Sequence, residues 1–405
     1  SALTGVASTE NIRTNTNATF LQNVNVSGST TTGTAVVGAA VTISESGIEA
    51  TGVGITVANI NGQQVSGRRR LNINGGFQVF QRSTSASDIG GSEGYFAPDR
   101  YRQSGTGNMR YTASQSTDVP SGFGFSNSLK YDCTTASGTV SAGHFVAIEH
   151  RMEGQDVQVL CKGTAQAKQL TISFHVKSPK AGIHWVEVYD NDNDRHVCKS
   201  YTISSADTWQ QVSLTFPGDT TGAFDNNNGT SLRVFFWLMA GTTYTGGGTP
   251  PSTWAAFTAN KRATGQVNVF DDTSNNFYIT GIQFEVGSQA TAFEHRTYGD
   301  ELTLCQRYFQ IWARGYLAAN AVGSSDLNIG VPLTTPLRTT PTTNSGFSIH
   351  RSGNQTNTVS FVSADYQVNS IILEVRMSGF SVSDEVPYNV TTLGGSNRME
   401  ISAEL

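Results

Sequence analysis

The sequence predicts an all-β protein, and three observations carry that prediction. Apolar and polar residues alternate with a period of two over short segments, which is typical of strands with one buried face. Clusters of Gly, Asn and Asp separate these segments, as turns do. No long segment repeats its apolar residues with the helical period. We expect an N-terminal β shaft, a central antiparallel β-sandwich or jelly roll, and a small C-terminal β domain.

Residues 1–70 are expected to form the shaft, either solenoid-like or intertwined. Up to about residue 67 they carry one aromatic side chain, Phe20, and only four charges. Small apolar residues alternate with other residues at 37, 39, 41 and 43, and again at 53, 55 and 57. Apolar faces this small cannot offset the entropy of folding alone. The segment is therefore predicted to bury them against copies of itself, which makes the protein a homo-oligomer.

Residues 71–297 are expected to form the sandwich. Trp185 and Trp237 fall in the middle of predicted strands, so we place both in its core. The predicted strands cover residues 77–81, 145–151, 155–161, 170–177, 183–189, 197–203, 210–216, 232–240, 267–270 and 277–286.

Residues 298–405 are expected to form the smaller C-terminal β domain. It begins with one helix-like segment, Tyr298–Gln306. Prolines at 332, 336 and 341 are expected to break its middle into extended, edge-like chain. The predicted strands cover residues 308–316, 327–332, 346–350, 358–361, 370–378 and 399–403.

The composition argues against several function classes. Charged residues make up 14% of the chain, below the ~25% of typical globular domains. A net charge of -5 leaves no basic surplus for phosphate backbones, so nucleic-acid binding is not expected. The basic run at 68–70 is expected to be a solvated or inter-subunit feature. The longest apolar run, at 234–240, is too short to cross a bilayer, so membrane insertion is not expected.

No sequence feature indicates a cofactor. The four cysteines lie far apart without a C-x-x-C pair, which predicts buried thiols and assembly in a reducing cytoplasm. No signal peptide is visible. Because residue 1 is Ser, the start is interpreted as a processed end or as the cut edge of a longer protein.

Several segments, taken in order, resemble a known family. The runs are NGGFQVFQR at 74–82, YFAPDRY at 95–101, FPGDTTG at 216–222, STW at 252–254, ITGIQFEVG at 279–287, AFEHR at 292–296 and LCQRYF at 304–309. Together they resemble the β-jelly-roll domain of tailed-phage virion appendage proteins, especially tail fibres. The resemblance implies a carbohydrate-binding-like jelly roll, a homotrimer, attachment to other tail proteins through the N-terminal segment, and a place on the virion tail after assembly in the host cytoplasm.

Two motifs resemble catalytic or metal sites and fall short of them. GGSEG at 90–94 fits a nucleophile elbow in letters, but a Ser- and Asp-rich loop is expected before the serine and an aromatic loop with Pro98 after it, in place of the strand and helix that the elbow needs. DNDND at 190–194 resembles a calcium loop, but Arg195 replaces the required Gly, so a polar hairpin tip is expected. His196 and Cys198 share a strand face without a second ligand pair at zinc spacing. No catalytic or metal-ligating residue is therefore predicted.

The remaining candidates are carboxylates, the motif at 294–296 and exposed aromatic rings. Sequence offers no way to pair carboxylates such as Glu93, Glu149 or Glu187 across a glycosidic bond. Residues 294–296 are expected to join the strand end to the next domain through charge-assisted hydrogen bonds. Tyr244 and Trp254 lie in a Gly-, Thr- and Pro-rich loop and are the candidate glycan contacts. The alternative is that both rings pack over the sandwich or against a neighbouring subunit.

The expected function is non-catalytic recognition of host-surface glycans by a phage tail fibre. One alternative is a tailspike enzyme that degrades polysaccharide, which would need paired carboxylates. The other is a purely structural capsid fibre or tail adaptor. The sequence does not identify the host, the receptor sugar, the attachment partner or the position on the virion.

Overall fold

The structure is a computed structural model, and it describes part of the chain. The described residues are 34–37, 41–44, 47–50, 69–312, 316–322, 326–343, 348–351, 355–358, 360–365, 370–378, 388–391 and 398–405. By its internal contacts the chain divides into two compact units, Ser1–Ala58 and Asn59–Leu405.

The first unit contains a small antiparallel sheet. Its strands are β1 (Thr34–Val37), β2 (Val41–Ser44) and β3 (Gly47–Ala50), in the order β1-β2-β3. The alternation at 37–43 thus falls on the end of β1 and the start of β2. The alternation at 53–57 lies outside the described residues, and shaft formation by oligomerisation stays a prediction.

The second unit begins with a sandwich of two six-stranded antiparallel sheets, which confirms the predicted fold class. The first sheet has the order β14-β11-β10-β13-β8-β5 and the second has the order β12-β9-β15-β7-β6-β4. The strands are β4 (Ser85–Ile89), β5 (Tyr101–Thr106), β6 (Arg110–Ser116), β7 (Ser128–Thr135), β8 (Phe145–Glu153), β9 (Leu170–Lys177), β10 (Gly182–Asp190), β11 (Arg195–Ile203), β12 (Gln210–Phe216), β13 (Thr230–Ala240), β14 (Ala255–Ala256) and β15 (Asn276–Val286).

The sandwich core forms because alternate residues of both sheets point inward. Ile172 and Phe174 of β9 and Phe284 of β15 meet Val186 of β10 and Phe236 of β13 in one buried cluster. Burying apolar side chains of this kind is the main favourable contribution to folding. The polar residues between them point to the outer faces, where a binding site can form.

Three of the predicted sandwich strands are absent. Residues 155–161 instead form helix α1 (Gly154–Val157) and a 3-10 turn, Gln158–Leu160. Val157 and Leu160 are buried at a spacing of three, which is a helical spacing. Residues 267–270 form no strand, although Val267 N donates to Ile183 O of β10 and Val269 N donates to Leu238 O of β13.

Residues 77–81 also form no strand, because Asn74 holds a turn there. The Asn74 side-chain oxygen accepts hydrogen bonds from the backbone N–H groups of Gln78 and Val79, each at 3.0 Å. Both Asn74 and Phe77 have positive φ, at 57° and 49°. Side-chain capping of the backbone has replaced strand pairing at this position.

The C-terminal part of the second unit is also β-rich and begins with the predicted helix. Helix α2 (Thr242–Thr245) precedes it, and helix α3 covers Tyr298–Gln306. Thr297 caps α3 by accepting a hydrogen bond from Asp300 N at 3.2 Å. None of the described helices has the length and apolar character needed to cross a membrane.

Ten strands follow α3 in three sheets, ordered β16-β25-β19, β22-β23-β18-β17-β24 and β20-β21. Residues 333–341, between β18 and β19, contain no strand, as the prolines predicted. The strands are β16 (Phe309–Trp312), β17 (Tyr316–Val322), β18 (Asp326–Pro332), β19 (Thr342–Thr343), β20 (Ser348–Arg351), β21 (Gln355–Thr358), β22 (Ser360–Asp365), β23 (Ile372–Ser378), β24 (Tyr388–Thr391) and β25 (Met399–Ser402).

Buried charged groups join the sandwich to the C-terminal strands. Glu153, fully buried at the end of β8, accepts hydrogen bonds from Arg307 at 2.7 and 2.8 Å and from the Tyr308 hydroxyl at 2.6 Å. The Arg100 guanidinium lies 3.4 Å from the centre of the Tyr308 ring and pairs with Glu404 at 2.5 Å. Because these groups are desolvated together, separating the two parts would leave charges without partners.

Replacing Glu153 with Gln is expected to lower the free energy of unfolding by about 2–3 kcal/mol, because a charge-assisted cluster loses its charge. Denaturant unfolding followed by tryptophan fluorescence measures the change. Glu93→Gln is the matched control: Glu93 pairs with Arg102, but its side chain is 40% exposed, so we expect a loss below ~1 kcal/mol. Equal losses at the two positions would contradict the role assigned to Glu153.

Candidate functional site

The chain after β15 turns back over the outer face of the second sheet. Gln283 and Glu285 point outward from β15 and are nonetheless buried, at 0% and 2% exposure. Glu285 Oε1 accepts a hydrogen bond from Thr291 N at 2.8 Å, and Gln283 Oε1 accepts one from Glu294 N at 2.8 Å. These side chains hold residues 287–296, here called the return segment, against the sheet.

The return segment also binds the chain that enters the sandwich. Glu294 Oε2 accepts hydrogen bonds from the backbone N–H groups of Arg69 and Arg70, at 2.7 and 2.8 Å. Arg296 donates to Arg70 O at 2.5 Å and lies 3.8 Å from Glu301 of α3. Residues 294–296 thus form the predicted charge-assisted hydrogen bonds, but these go to the entering segment rather than to the next domain, which Arg296 meets only through its ion pair with Glu301.

Arg70 corrects the prediction of a solvated or inter-subunit basic run. Its side chain is buried and forms an ion pair with Glu301, which is also buried. The guanidinium lies 4.8 Å from the centre of the Phe293 ring. A buried arginine needs such partners because desolvation alone would be costly. Residue 68 lies outside the described residues.

A pocket of about 270 Å³ lies between the return segment and the loop at 117–127. Strand pairing builds its floor: His175 of β9 lies opposite Gln211 of β12 and opposite Thr280 of β15. Phe123 and Phe293 stand on either side. The described residues that line it include no Asp, Glu, Lys or Arg.

Aromatic rings make up the pocket walls. The Phe123 ring centroid lies 4.4 Å from that of His175, and Phe123 is 47% exposed. Phe125 lies 5.0 Å from Phe293 in an edge-on arrangement, and Phe293 lies 4.9 Å from His295. Mutual contacts of this kind fix ring orientation. The pocket is thus preformed, with one exposed aromatic ring at its mouth.

His295 closes the ring of contacts around the pocket. Its Nε2 lies 3.0 Å from Phe123 O, so a hydrogen bond connects the return segment to the loop. Its ring also lies 5.3 Å from that of Phe125. The two segments that carry the walls are therefore linked to each other as well as to the sheet.

His175 is the polar group of the pocket floor. It is 4% exposed, and within the described part of the chain neither ring nitrogen has a hydrogen-bond partner. Burial lowers the pKa of His175 to about 4, so the imidazole is neutral at neutral pH. A neutral imidazole offers one N–H donor and one acceptor, which suits a ligand hydroxyl group.

Gly281 allows the pocket walls to approach β15. It has a φ of 64° at an irregularity in the pairing of β15 with β9. A Cβ atom there would lie 2.4 Å from the Phe125 ring and 3.1 Å from His175 Nδ1. A side chain at this position would therefore displace the Phe125 ring and crowd His175.

The structure places the two sequence-predicted contacts away from this pocket. Trp254 is half-buried and does not line the pocket. Its Nε1 donates a hydrogen bond to Pro217 O at 2.7 Å. The Lys162 ammonium lies 5.4 Å from the centre of its ring. The indole therefore contacts protein through its edge and one face, and its role as a glycan contact stays a prediction.

Tyr244 belongs to a separate cluster on the outer face of the first sheet. Its ring lies 4.6 Å from Phe145 and 5.5 Å from Trp237. Trp237 is fully buried in this cluster, which confirms its predicted core position, whereas Trp185 is only partly buried there; the cluster lies on the outer face of the sheet rather than between the sheets. Their neighbours Val186 and Phe236 point inward instead. The segment after β13 covers Trp237 completely, and Trp185 partly.

Glu187, His196 and Cys198 also lie on this outer face, with one ligand atom of each within 4.8 Å of the others. These are ligand types that zinc accepts. However, Arg262 Nε donates to both Glu187 oxygens, at 3.0 and 2.8 Å, and Trp237 Nε1 donates to one of them at 3.2 Å. Burial raises the pKa of the Cys198 thiol, which disfavours the thiolate a metal needs. The cluster acts as an ion-pair network that fixes the segment carrying Arg262 to the sheet.

Glu149 is the second buried carboxylate of this face, two strands away from Glu187. Arg151, Arg233 and Arg102 donate to it at 2.7, 2.5 and 3.1 Å. Burial would raise the pKa of Glu149, but the guanidinium groups of Arg233 and Arg151 outweigh it and hold the pKa below its usual range. Such a carboxylate cannot serve as a general acid at neutral pH.

The two motifs that resembled catalytic or calcium sites have structural roles. Glu93 of GGSEG accepts hydrogen bonds from Gly105 N at 2.9 Å and from Arg102 at 2.6 Å. DNDND forms the hairpin tip between β10 and β11, as predicted. There the Asp190 carboxylate accepts from Asp192 N at 3.0 Å and pairs with Lys162 at 2.6 Å.

The pocket residues Phe123, His175, Phe293 and His295 were missed by sequence reasoning. A signal for Phe123 was present, because SGFGFS at 121–126 places aromatic rings in a Gly- and Ser-rich loop. The same kind of signal was used for Tyr244, which lies in helix α2 instead of the predicted loop. His175 carried no signal, since any polar residue fits the outward positions of β9. The return of the chain over the sheet, which unites these residues, is not visible in the sequence.

Comparisons with known proteins leave the family open: no family model matches the sequence, and no curated protein matches it. Solved structures that resemble the chain include the enzymatically active domain of a tailspike protein from bacteriophage CBA120, at 12% identity and a TM-score of 0.29, covering 55% of this chain. This chain spans only 22% of that one.

Two other similar structures are named for sugar binding. A family 11 carbohydrate-binding module of a Clostridium thermocellum cellulase is 13% identical with a TM-score of 0.25, over 52% of this chain and 98% of that one. A sugar binding protein from Bacteroides thetaiotaomicron is 11% identical with a TM-score of 0.26, over 54% of this chain and 100% of that one. Superpositions this loose assign neither a family nor a function.

Gly281→Ala is expected to destabilise the protein by about 1–3 kcal/mol, because overpacking against Phe125 adds to the cost of a positive φ. Thermal unfolding measures the change. Gly265→Ala is the control: its φ is 78°, but no atom lies within 4 Å of the added carbon. If both variants lose the same stability, backbone strain alone explains the effect and the close approach at Gly281 does not matter.

Stability is expected to fall as the pH drops from about 6.5 toward 4, partly through His175. The folded pKa of about 4 lies below the ordinary value of 6.5, so in this window the unfolded chain binds more protons. Urea unfolding at several pH values should show a shallower loss for His175→Gln than for the wild type. His184, whose pKa is also lowered to about 4, remains in both proteins and cancels in the difference. Parallel curves would contradict the assignment.

Proposed function

We propose that this chain is a tailed-phage tail fibre that binds a host-surface glycan without breaking a bond. One observation supports glycan binding above the others: among the described residues, a preformed, aromatic-walled pocket has no charged lining residue and holds a neutral histidine whose ring nitrogens have no hydrogen-bond partner. The ordered segments from 74 to 309 that resemble phage appendage proteins support the placement on a virion.

The chemistry of the pocket suits a sugar ring. Pyranose C–H faces pack against aromatic rings, while hydroxyl groups need donors and acceptors of fixed direction. Phe123 supplies an exposed ring face, and His175 supplies one donor and one acceptor beside Gln211. A volume of about 270 Å³ lies just below the ~300–1,000 Å³ of pockets for drug-sized ligands, which fits a single monosaccharide unit.

The tailspike-enzyme alternative is less well supported by the described residues. Hydrolysis needs one carboxyl group that is protonated and one that is free to attack or to activate water. Glu149 and Glu187, two buried carboxylates of the first sheet, share a row through Phe235 of β13. Each is already bound by arginine, so neither is available for proton transfer.

Weak contacts at one pocket would gain strength from several copies. If residues 1–70 assemble a homotrimer, three pockets face the same cell surface, and the second and third binding events become intramolecular. Affinity for the surface would then exceed that for a soluble sugar. On this proposal the N-terminal segment also carries the attachment to other tail proteins.

Phe123→Ala is expected to weaken binding to isolated host-surface polysaccharide by at least about tenfold, because the pocket loses its exposed ring face. Biolayer interferometry on immobilised polysaccharide measures the affinity. Ile183→Ala is the matched control, since Ile183 is similarly exposed (43%) but lies on the first sheet, so its affinity should stay unchanged.

Three outcomes would contradict the proposal. New reducing ends in the polysaccharide after incubation would favour the enzyme alternative. Equal binding by Phe123→Ala and wild type would remove the pocket from the function. Labelled antibody located on the capsid, rather than on the tail, of intact particles would favour the capsid-fibre alternative.

A further inference from the structure

We propose that the pocket is one of two subsites, and that Trp209 and Tyr278 form a platform for a second, uncharged pyranose unit of the same glycan. This inference rests on the proposed function. The platform lies next to the pocket on the outer face of the second sheet, and the sugar unit that it accepts is neutral.

Strand register places the platform one row away from the pocket floor. Lys177 of β9 lies opposite Tyr278 of β15. On the other side of β9, Gln210, the first residue of β12, lies opposite Val176. Trp209 directly precedes Gln210 and is therefore level with Lys177. The floor residues Gln211 and His175, together with Thr280 opposite His175, occupy the row two residues further along the same three strands. Two residues of a strand span about 7 Å, which is the length scale of one sugar ring.

The platform presents two partly exposed aromatic rings in a fixed arrangement. The Trp209 and Tyr278 centroids lie 6.1 Å apart with an interplanar angle of 64°. Trp209 Nε1 donates to Asp118 Oδ1 at 2.9 Å, and Asp118 also pairs with Lys177. The loop that begins near Asp118 continues to Phe123, so one segment supports both the platform and the pocket wall.

The charges of the platform are balanced, and this determines the sugar class. The Lys177 ammonium lies 4.6 Å and the Lys130 ammonium 5.7 Å from the centre of the Tyr278 ring. Lys177 pairs with Asp118, and Lys130 pairs with Asp132 at 3.0 Å. Because each cation has its own carboxylate, an acidic sugar gains no net attraction and would lose hydration. A neutral ring that packs on the aromatic faces fits best.

The test compares ligand length. An array of neutral and acidic mono- and oligosaccharides identifies the best neutral oligosaccharide, and titration calorimetry then measures this probe and its terminal monosaccharide. Trp209→Ala should weaken binding of the oligosaccharide by about five- to tenfold and leave the affinity for the monosaccharide unchanged. Trp209→Phe keeps a ring face and should lose less. Phe123→Ala should weaken both probes.

The outcomes separate this inference from the proposed function. If Phe123→Ala weakens both probes and Trp209→Ala weakens neither, the pocket binds sugar and the platform does not. If Trp209→Ala weakens both equally while its thermal midpoint is unchanged, the two positions form one site rather than two. A preference for acidic oligosaccharides would overturn the sugar class. If no sugar binds the wild type, the proposed function fails, and the inference fails with it.

Discussion

The return of residues 287–296 over the second sheet is the constraint on which the rest of the described site depends. Polar side chains of β15 hold this segment by accepting backbone hydrogen bonds away from water, where such bonds are costly to lose. The same segment supplies Phe293 and His295 to the pocket. It also holds the chain that enters the sandwich through Glu294. One local fold-back thus couples the pocket to the integrity of the whole sandwich.

The outer faces of the two sheets differ in how completely other segments of the chain cover them. On the first sheet, Arg262 enters between aromatic rings to reach Glu187, and the segment that carries it covers much of that face. The buried carboxylates of that face, Glu149 and Glu187, are already bound in ion pairs with arginines. On the second sheet, covering segments leave a gap with His175 at its base. The ligand surface that the geometry supports is therefore on the second sheet, where the covering segments leave a pocket open.

Buried ion pairs also decide how the C-terminal β region relates to the sandwich. Glu153 lies at the end of β8, yet it is satisfied by residues that follow α3. A carboxylate this buried would be costly alone, so the two parts are energetically dependent on each other. They form one compact unit, although their sequences look like separate stretches of strands.

Local patterns predicted the long, regular elements well. β9, β10, β11, β12, β13 and β15 follow the period of two, because one face of each lies in a large apolar core. Helix α3 was predicted as a helix-like segment with the bounds that the structure shows, Tyr298–Gln306. β4 to β7 were missed, since Ser, Thr, Gln and Gly dilute the alternation there. Residues 155–161 were assigned to the wrong period, and 77–81 were misassigned because an Asn side chain competes with strand pairing.

The amino-acid sequence by itself determined the all-β class, the boundaries of the well-patterned strands and the hairpin at 190–194. These follow from short-range periodicity and from charges near in sequence. Only the tertiary structure decided which aromatic rings surround a cavity, since Phe123, His175 and Phe293 lie far apart in the chain and meet through strand register and a fold-back. Residues so distant carry no shared local signal, because their proximity results from packing alone.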